Sequence, residues 1–138
     1  MNIYATMLNL MPIVYPQFYT LHDTAKNELV FLKTGETEAG ELNVTDKTQC
    51  EAVNNHFHLF EKVGERNYES VVEIGKNIAN NLFISLNQSF PTKSFVVYLE
   101  VNVKDSVIIR FHQKWENEPP YFDMTQSYKD VKIFELKN

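Results

Sequence analysis

Phe95-Val96-Val97-Tyr98-Leu99-Glu100-Val101-Asn102-Val103, then Lys104-Asp105-Ser106, then Val107-Ile108-Ile109-Arg110-Phe111-His112-Gln113-Lys114-Trp115: the alternation in this stretch decides the fold. Apolar side chains occupy the odd positions from Phe95 to Val103 and return at Val107, Ile109, Phe111 and Trp115. Period-two alternation interrupted by a short polar segment is the pattern of a β-hairpin. Opposed residues of an antiparallel pair share a face, so apolar must meet apolar. A three-residue loop, Lys104 to Ser106, satisfies this by setting Val103 against Val107, Val101 against Ile109, Leu99 against Phe111 and Phe95 against Trp115. The same register predicts Glu100 opposite Arg110 and Tyr98 opposite His112 on a second, solvated face.

Working outward, the preceding segment reads as two helices. Thr45 is a suitable N-cap, with Asp46 well placed for a helix N-terminus. Cys50, Val53, Phe57 and Phe60 recur at spacings of three and four, the signature of one helical face. Gly64 stands where a left-handed C-terminal cap is wanted. Asn67 can cap a second helix, whose stripe is Val71, Gly75, Ile78, Leu82 and Leu86, widened by Val72, Ala79 and Phe83; Pro91 prevents its continuation. The short Glu65-Arg66 link predicts an antiparallel helical hairpin. Two short strands are expected between Gln17 and Lys33 around the polar turn Asp23–Asn27, and a last strand over Val131–Leu136. Strands, helices and strands in that order give an α+β domain, residues 1–138, with an antiparallel sheet and an α-helical hairpin packed on one face. Residues expected in the core include Val53, Phe57, Phe60, Ile78, Leu82 and Phe111.

Met1 to His22 contain no Asp, Glu, Lys or Arg. The stretch lacks the basic start of a signal peptide, and Asn2, Asn9, Pro12, Pro16 and Gln17 interrupt it as a membrane span. It is expected to be a buried part of the domain. With one cysteine and no export signal, the expected location is the cytoplasm.

The 138 residues are 43% hydrophobic and 22% charged, which excludes disordered and low-complexity classes. A net charge of −5 disfavours nucleic acid as a partner, because binding phosphates needs a basic footprint. A lone Cys50 excludes an internal disulfide or an all-cysteine zinc site. On a helix His56 and His58 would diverge by about 200°, too far to share a metal ion. His112, between Arg110 and Lys114, has the ring for acid–base work, but the surrounding mixed charge reads as a solvated strand face. Gly75-Lys76 is followed by Asn77, so no phosphate-binding loop can form, and no other nucleotide or nucleophile motif is present. The expectation is therefore a protein without enzymatic activity, cofactor or metal.

Charge position says more than charge total. Residues 36–51 hold Glu36, Glu38, Glu41, Asp46 and Glu51 against Lys47 alone, and residues 116–138 hold five acids against three bases. Acidic patches of this kind suit a basic partner. The segment from Trp115 to Asp123 adds aromatic residues to carboxylates on a loop stiffened by Pro119-Pro120, the composition of an interface hot spot. The candidate partner-binding set is Glu36, Glu38, Glu41, Trp115, Glu116, Glu118, Tyr121, Phe122 and Asp123.

The segment Phe95 to Asp123, with its hairpin, Lys114-Trp115-Glu116 and Pro119-Pro120-Tyr121-Phe122, in a small acidic α+β chain, resembles the immunity proteins of bacterial contact-dependent inhibition and related polymorphic-toxin systems. That resemblance implies a cytoplasmic inhibitor that binds the C-terminal domain of a cognate toxin, often a nuclease, and blocks its active site. A toxin that holds nucleic acid must be basic, which matches an acidic inhibitor. The alternative is a small enzyme or ligand-binding domain with a pocket between sheet and helices, hosting His112 or a carboxylate.

Overall fold

In the computed structural model, which describes residues 2–34, 44–102 and 105–138, the alternating stretch forms strands β4 (Phe95–Val101) and β5 (Ser106–Gln113). They pair antiparallel, but Val101 meets Val107, Leu99 meets Ile109 and Val97 meets Phe111, two residues away from the expected register. The pairing is centred one residue earlier in the chain, and it continues beyond Val101–Val107: the Asn102 N–H donates to the Ser106 carbonyl at 2.9 Å and the Asp105 N–H to the Asn102 carbonyl at 3.1 Å. A two-residue shift preserves side-chain parity, so every residue keeps its assigned face. The predicted polar pairs survive as diagonals. Arg110 Nε reaches Glu100 Oε2 at 2.9 Å, and the Tyr98 hydroxyl lies 3.0 Å from His112 Nε2.

Strand β6 (Lys132–Lys137) adds to the free edge of β4, and strand β3 (His56–Glu61) to that of β5, giving the antiparallel order β3-β5-β4-β6. Strand β3 replaces the expected second half of the first helix, and with it the helical hairpin. Helix α2 covers only Lys47–Asn54, is capped by Asp46 (not Thr45) through the Gln49 N–H at 2.9 Å, and stops at Asn55. The apolar recurrence Val53, Phe57, Phe60 fits a helix by spacing, but Phe57 and Leu59 also alternate with His56 and His58. Pairing along the open edge of β5 selects the strand, with a bulge between His58 and Phe60. Val53 is consequently exposed, while Phe57, Phe60 and Ile78 pack half-buried against the core.

One helix therefore covers the sheet. Helix α3 (Tyr68–Ser89), entered through a 3₁₀ turn at Glu65–Asn67, buries Val71, Gly75, Ala79, Leu82 and Leu86 against the odd-numbered face of β4 and β5. At Gly75 a Cβ would stand 2.8 Å from Leu99 Cδ1, so a larger residue there would have to displace the Leu99 side chain. Strands β1 (Phe18–His22) and β2 (Glu28–Leu32) form the expected hairpin, its turn held by Asp23 accepting from the Ala25 and Asn27 amides. It closes one end of the core, with the Phe18 ring edge-on to Phe90 and Phe111. The uncharged leading segment is not buried as expected: it forms helix α1 (Ile3–Val14), which rests on α3 and buries only Ile13. Among the described residues the architecture is α+β, with three α-helices and two antiparallel sheets. No helix among them is long and apolar enough to cross a membrane.

Candidate functional site

The even-numbered face of the sheet, opposite α3, presents Val96, Tyr98, Glu100, Ile108, Arg110 and His112. It is not the solvated surface the charge pattern suggests. The chain from Trp115 to Tyr128 folds across part of it and buries Tyr98 and His112 completely. Glu100 and Arg110 stay paired beneath it, with the Tyr121 ring 4.7 Å from the guanidinium carbon and Arg110 Nη1 donating to the Ala52 carbonyl.

Three anchors fix this loop. Trp115 Nε1 donates to Glu51 Oε1 at 2.6 Å. The Glu118 carboxylate accepts from the Thr48 N–H and hydroxyl, both at 2.7 Å, and pairs with Lys47 Nζ at 2.9 Å, so it sits on the N-terminus of α2. A carboxylate there meets unpaired amides and the positive end of the helix dipole. Burial raises the Glu118 pKa, but the donors from Lys47 and Thr48 outweigh it and bring the group to about 2. The third anchor is the buried pair. His112 Nδ1 donates to the Gln113 carbonyl at 2.7 Å, which leaves Nε2 as acceptor for the Tyr98 hydroxyl and the Tyr121 N–H at 3.3 Å. The Phe122 N–H points at the Tyr98 oxygen at 3.5 Å, and its ring meets Tyr98 edge-on at 5.0 Å. Burial lowers the His112 pKa and pushes Tyr98 up to about 12, so both are neutral at pH 7.

Of the predicted site residues, Trp115, Glu118, Tyr121 and Phe122 thus face partly inward and mount the loop. Glu116 and Asp123 are exposed on it, beside exposed Pro119, Pro120 and Met124. Asp123 is organised locally, accepting from the Thr125 hydroxyl at 2.6 Å and the Thr125 N–H at 2.9 Å, and these bonds lower its pKa. Asn117 adopts a left-handed φ of 65° at the turn between Trp115 and Glu118, a conformation asparagine tolerates well. Glu36, Glu38 and Glu41 lie outside the described residues.

Glu51, read from sequence only as one acid of a patch, is completely buried. It accepts from the Val30 and Gln113 amides, each at 2.9 Å, from Gln113 Nε2 at 2.8 Å and from Trp115 Nε1. Burial raises its pKa against the pull of these four donors. One turn on, Asn55 accepts from the Leu32 N–H and donates to the Val30 carbonyl, both at 2.8 Å. The two side chains act as a substitute strand between β2 and β5.

Between the loop and the sheet lies a cleft of about 280 Å³ walled by His112, Lys114, Trp115, Glu118, Pro119 and Pro120, among others. His56 and His58 stand on a strand, so they share one face with their rings 5.4 Å apart, which corrects the divergence expected on a helix. Among the described residues no three His, Cys, Asp or Glu side chains converge as a metal set. Cys50 is a half-buried thiol whose pKa burial raises. Compared with family models, curated proteins and solved structures, the chain finds no match.

Proposed function

We propose that the protein is a stoichiometric binding inhibitor of the immunity type, which occludes a basic toxin domain with the Trp115–Asp123 loop. The observation that carries this reading is the mounting of the loop. Three separate anchors, two through the Trp115 and Glu118 side chains and one through the Tyr121 N–H, hold the loop while Glu116, Pro119, Pro120, Asp123 and Met124 remain exposed. A rigid loop loses little entropy on docking, and exposed carboxylates beside apolar surface give both steering and contact. In the alternative reading the cleft at His112 binds a small ligand. It is the weaker of the two because both ring nitrogens of His112 already serve the fold.

The test pairs the chain with the C-terminal domain of the protein encoded by the adjoining upstream gene, assayed for toxicity on its own. One equivalent should neutralise the toxin in vitro and protect cells that express it. The double reversal Glu116→Lys and Asp123→Lys should slow association at least about tenfold at low salt, with a smaller effect at high salt. Full toxin activity in the presence of excess inhibitor would refute the reading.

A further inference from the structure

Six of the ten large apolar side chains left exposed among the described residues belong to α1 and the residue that follows it. The helix itself is well anchored. Ile13 is buried, Leu10 and Val14 pack on the core, Asn81 Nδ2 donates to the Val14 carbonyl at 3.2 Å, and Asn2 caps the first turn through the Tyr4 and Ala5 amides. The side turned away from that anchor carries Tyr4, Met7, Leu8, Met11 and Tyr15, with Ile3 beside it. At 100° per residue the first five fall in a stripe about 100° wide, opposite Ile13. Tyr4, Leu8 and Tyr15 are each more than 70% exposed. With ordinary residue areas the six side chains amount to roughly 700 Å² of surface, above the roughly 300–600 Å² patch usual on a monomer. A helix apolar on both sides belongs in an interior.

We infer that α1 is the contact face of a homodimer, in which two copies pair this helix antiparallel about a twofold axis. The pattern is self-complementary: Tyr4, Leu8, Met11 and Tyr15 are spaced four, three and four, which reads identically in both directions. An axis between Leu8 and Met11 sets Tyr4 against Tyr15 of the partner subunit, and Leu8 against Met11 of the partner subunit, as an isologous interface requires. The area is adequate, because two such faces bury at most roughly 1,400 Å², within the standard range for specific complexes. Charge favours the same occupant. Copies of a chain with net charge −5 repel, but Met1 to His22 contain no Asp, Glu, Lys or Arg, so contact here brings no like charges together. A helix lying on a membrane surface carries Lys and Arg on its polar side, and this one has neither. The face is separate from the Trp115–Asp123 loop, so the dimer does not depend on the inhibitor reading.

Sedimentation velocity of the full chain from about 1 to 100 µM tests this, a range that spans the affinity of a modest dimer. The expected result is a species of twice the 16.1 kDa chain mass at the upper end. Leu8→Glu places two carboxylates at the axis and should weaken the dimer at least about a hundredfold. Its far-UV circular dichroism should be unchanged, because Leu8 is exposed in each copy. In a Cys50→Ser background and with oxidised glutathione as the oxidant, chains carrying Leu8→Cys mixed with chains carrying Met11→Cys should form the mixed disulfide in preference to either like pair. A single-chain mass throughout the range would overturn the proposal, as would a dimer that survives Leu8→Glu. So would capture of a monomeric chain by neutral phosphatidylcholine vesicles, and a preference for like disulfides would overturn the antiparallel pairing.

Discussion

Replacing Glu118 by alanine removes the clamp between the loop and α2, and the structure sets the size of the effect. The variant loses the acceptor of the Thr48 N–H and hydroxyl and the partner of Lys47 Nζ. Hydrogen bonds to a charged group contribute about 1.5–3 kcal/mol each when buried, but this carboxylate lies near the surface and Asp46 still caps the helix. A total of about 2 kcal/mol is expected, or about 5–10 °C in melting temperature for a chain of this length. The pH dependence has a definite sign. The folded pKa of Glu118, about 2, lies below its unfolded value, so the contribution is complete above about pH 4.5 and is lost as pH falls towards 2. The difference between wild type and Glu118→Ala should thus be full at pH 7 and shrink below about pH 4.5. Trp115, the only tryptophan, reports on the loop directly. Its emission should shift to the red in the variant as the indole loses its fixed position between Glu51 and Lys47. Melting within about a degree of wild type at pH 7, with unchanged emission, would refute the clamp.

Glu51→Ala leaves the buried Val30 and Gln113 amides without acceptors and should cost about 2–4 kcal/mol in urea unfolding, part of the loss being offset because a carboxylate no longer has to be desolvated. Because burial lowers the His112 pKa, stability that is complete above about pH 6.5 should decline as pH falls below it, and imidazole NMR should find the ring neutral and protonated at Nδ1 at pH 7. Leu82→Ala, at a completely buried position under the sheet, should cost about 2–5 kcal/mol by the same unfolding assay.

The elements that were legible in the sequence are those whose buried face is apolar. Strands β4 and β5, helix α3, the β1–β2 hairpin and β6 all carry their pattern openly, because each packs directly on the core. Helix α2 does not. Its buried residues are Thr48, Glu51 and Ala52, continued by Asn55, at spacings of three, one and three, and two of those four side chains are there to satisfy strand edges. A search for apolar periodicity finds Cys50, Val53 and Phe57 instead, crosses into β3 and misplaces both elements. The spacing of Thr48, Glu51, Ala52 and Asn55 was present in the sequence, but nothing local marks a polar stripe as an inner one when its partners come from Val30, Leu32 and Gln113. Tyr98 and His112 were missed for a related reason. Their burial depends on a loop that arrives from residues 115–128, and no alternation within β4 or β5 encodes it. Helix α1 departs in the other direction, since a charge-free segment reads as interior although one side of it is left exposed among the described residues.

The acidity of the chain divides in the same way between fold and surface. Glu51 is fully buried among donors, Asp46 and Glu118 hold the start of α2, Glu100 pairs with Arg110 and Glu135 with Lys137. Counting them as one field for a basic partner overstates what that partner meets. Glu116 and Asp123 remain exposed on the anchored loop, so under the proposed function steering of a basic partner would rest on them and not on Glu118. The two classes separate kinetically. Reversing Glu116 should lower the association rate with a strong salt dependence and leave melting unchanged, because the residue is exposed. Reversing Glu118 should lower the melting temperature and speed dissociation, because a lysine at the N-terminus of α2 faces Lys47 and releases the loop before any partner arrives. If the two reversals affected association and melting alike, the division between mounting and contact residues would be wrong, and the loop would have to be treated as one electrostatic surface.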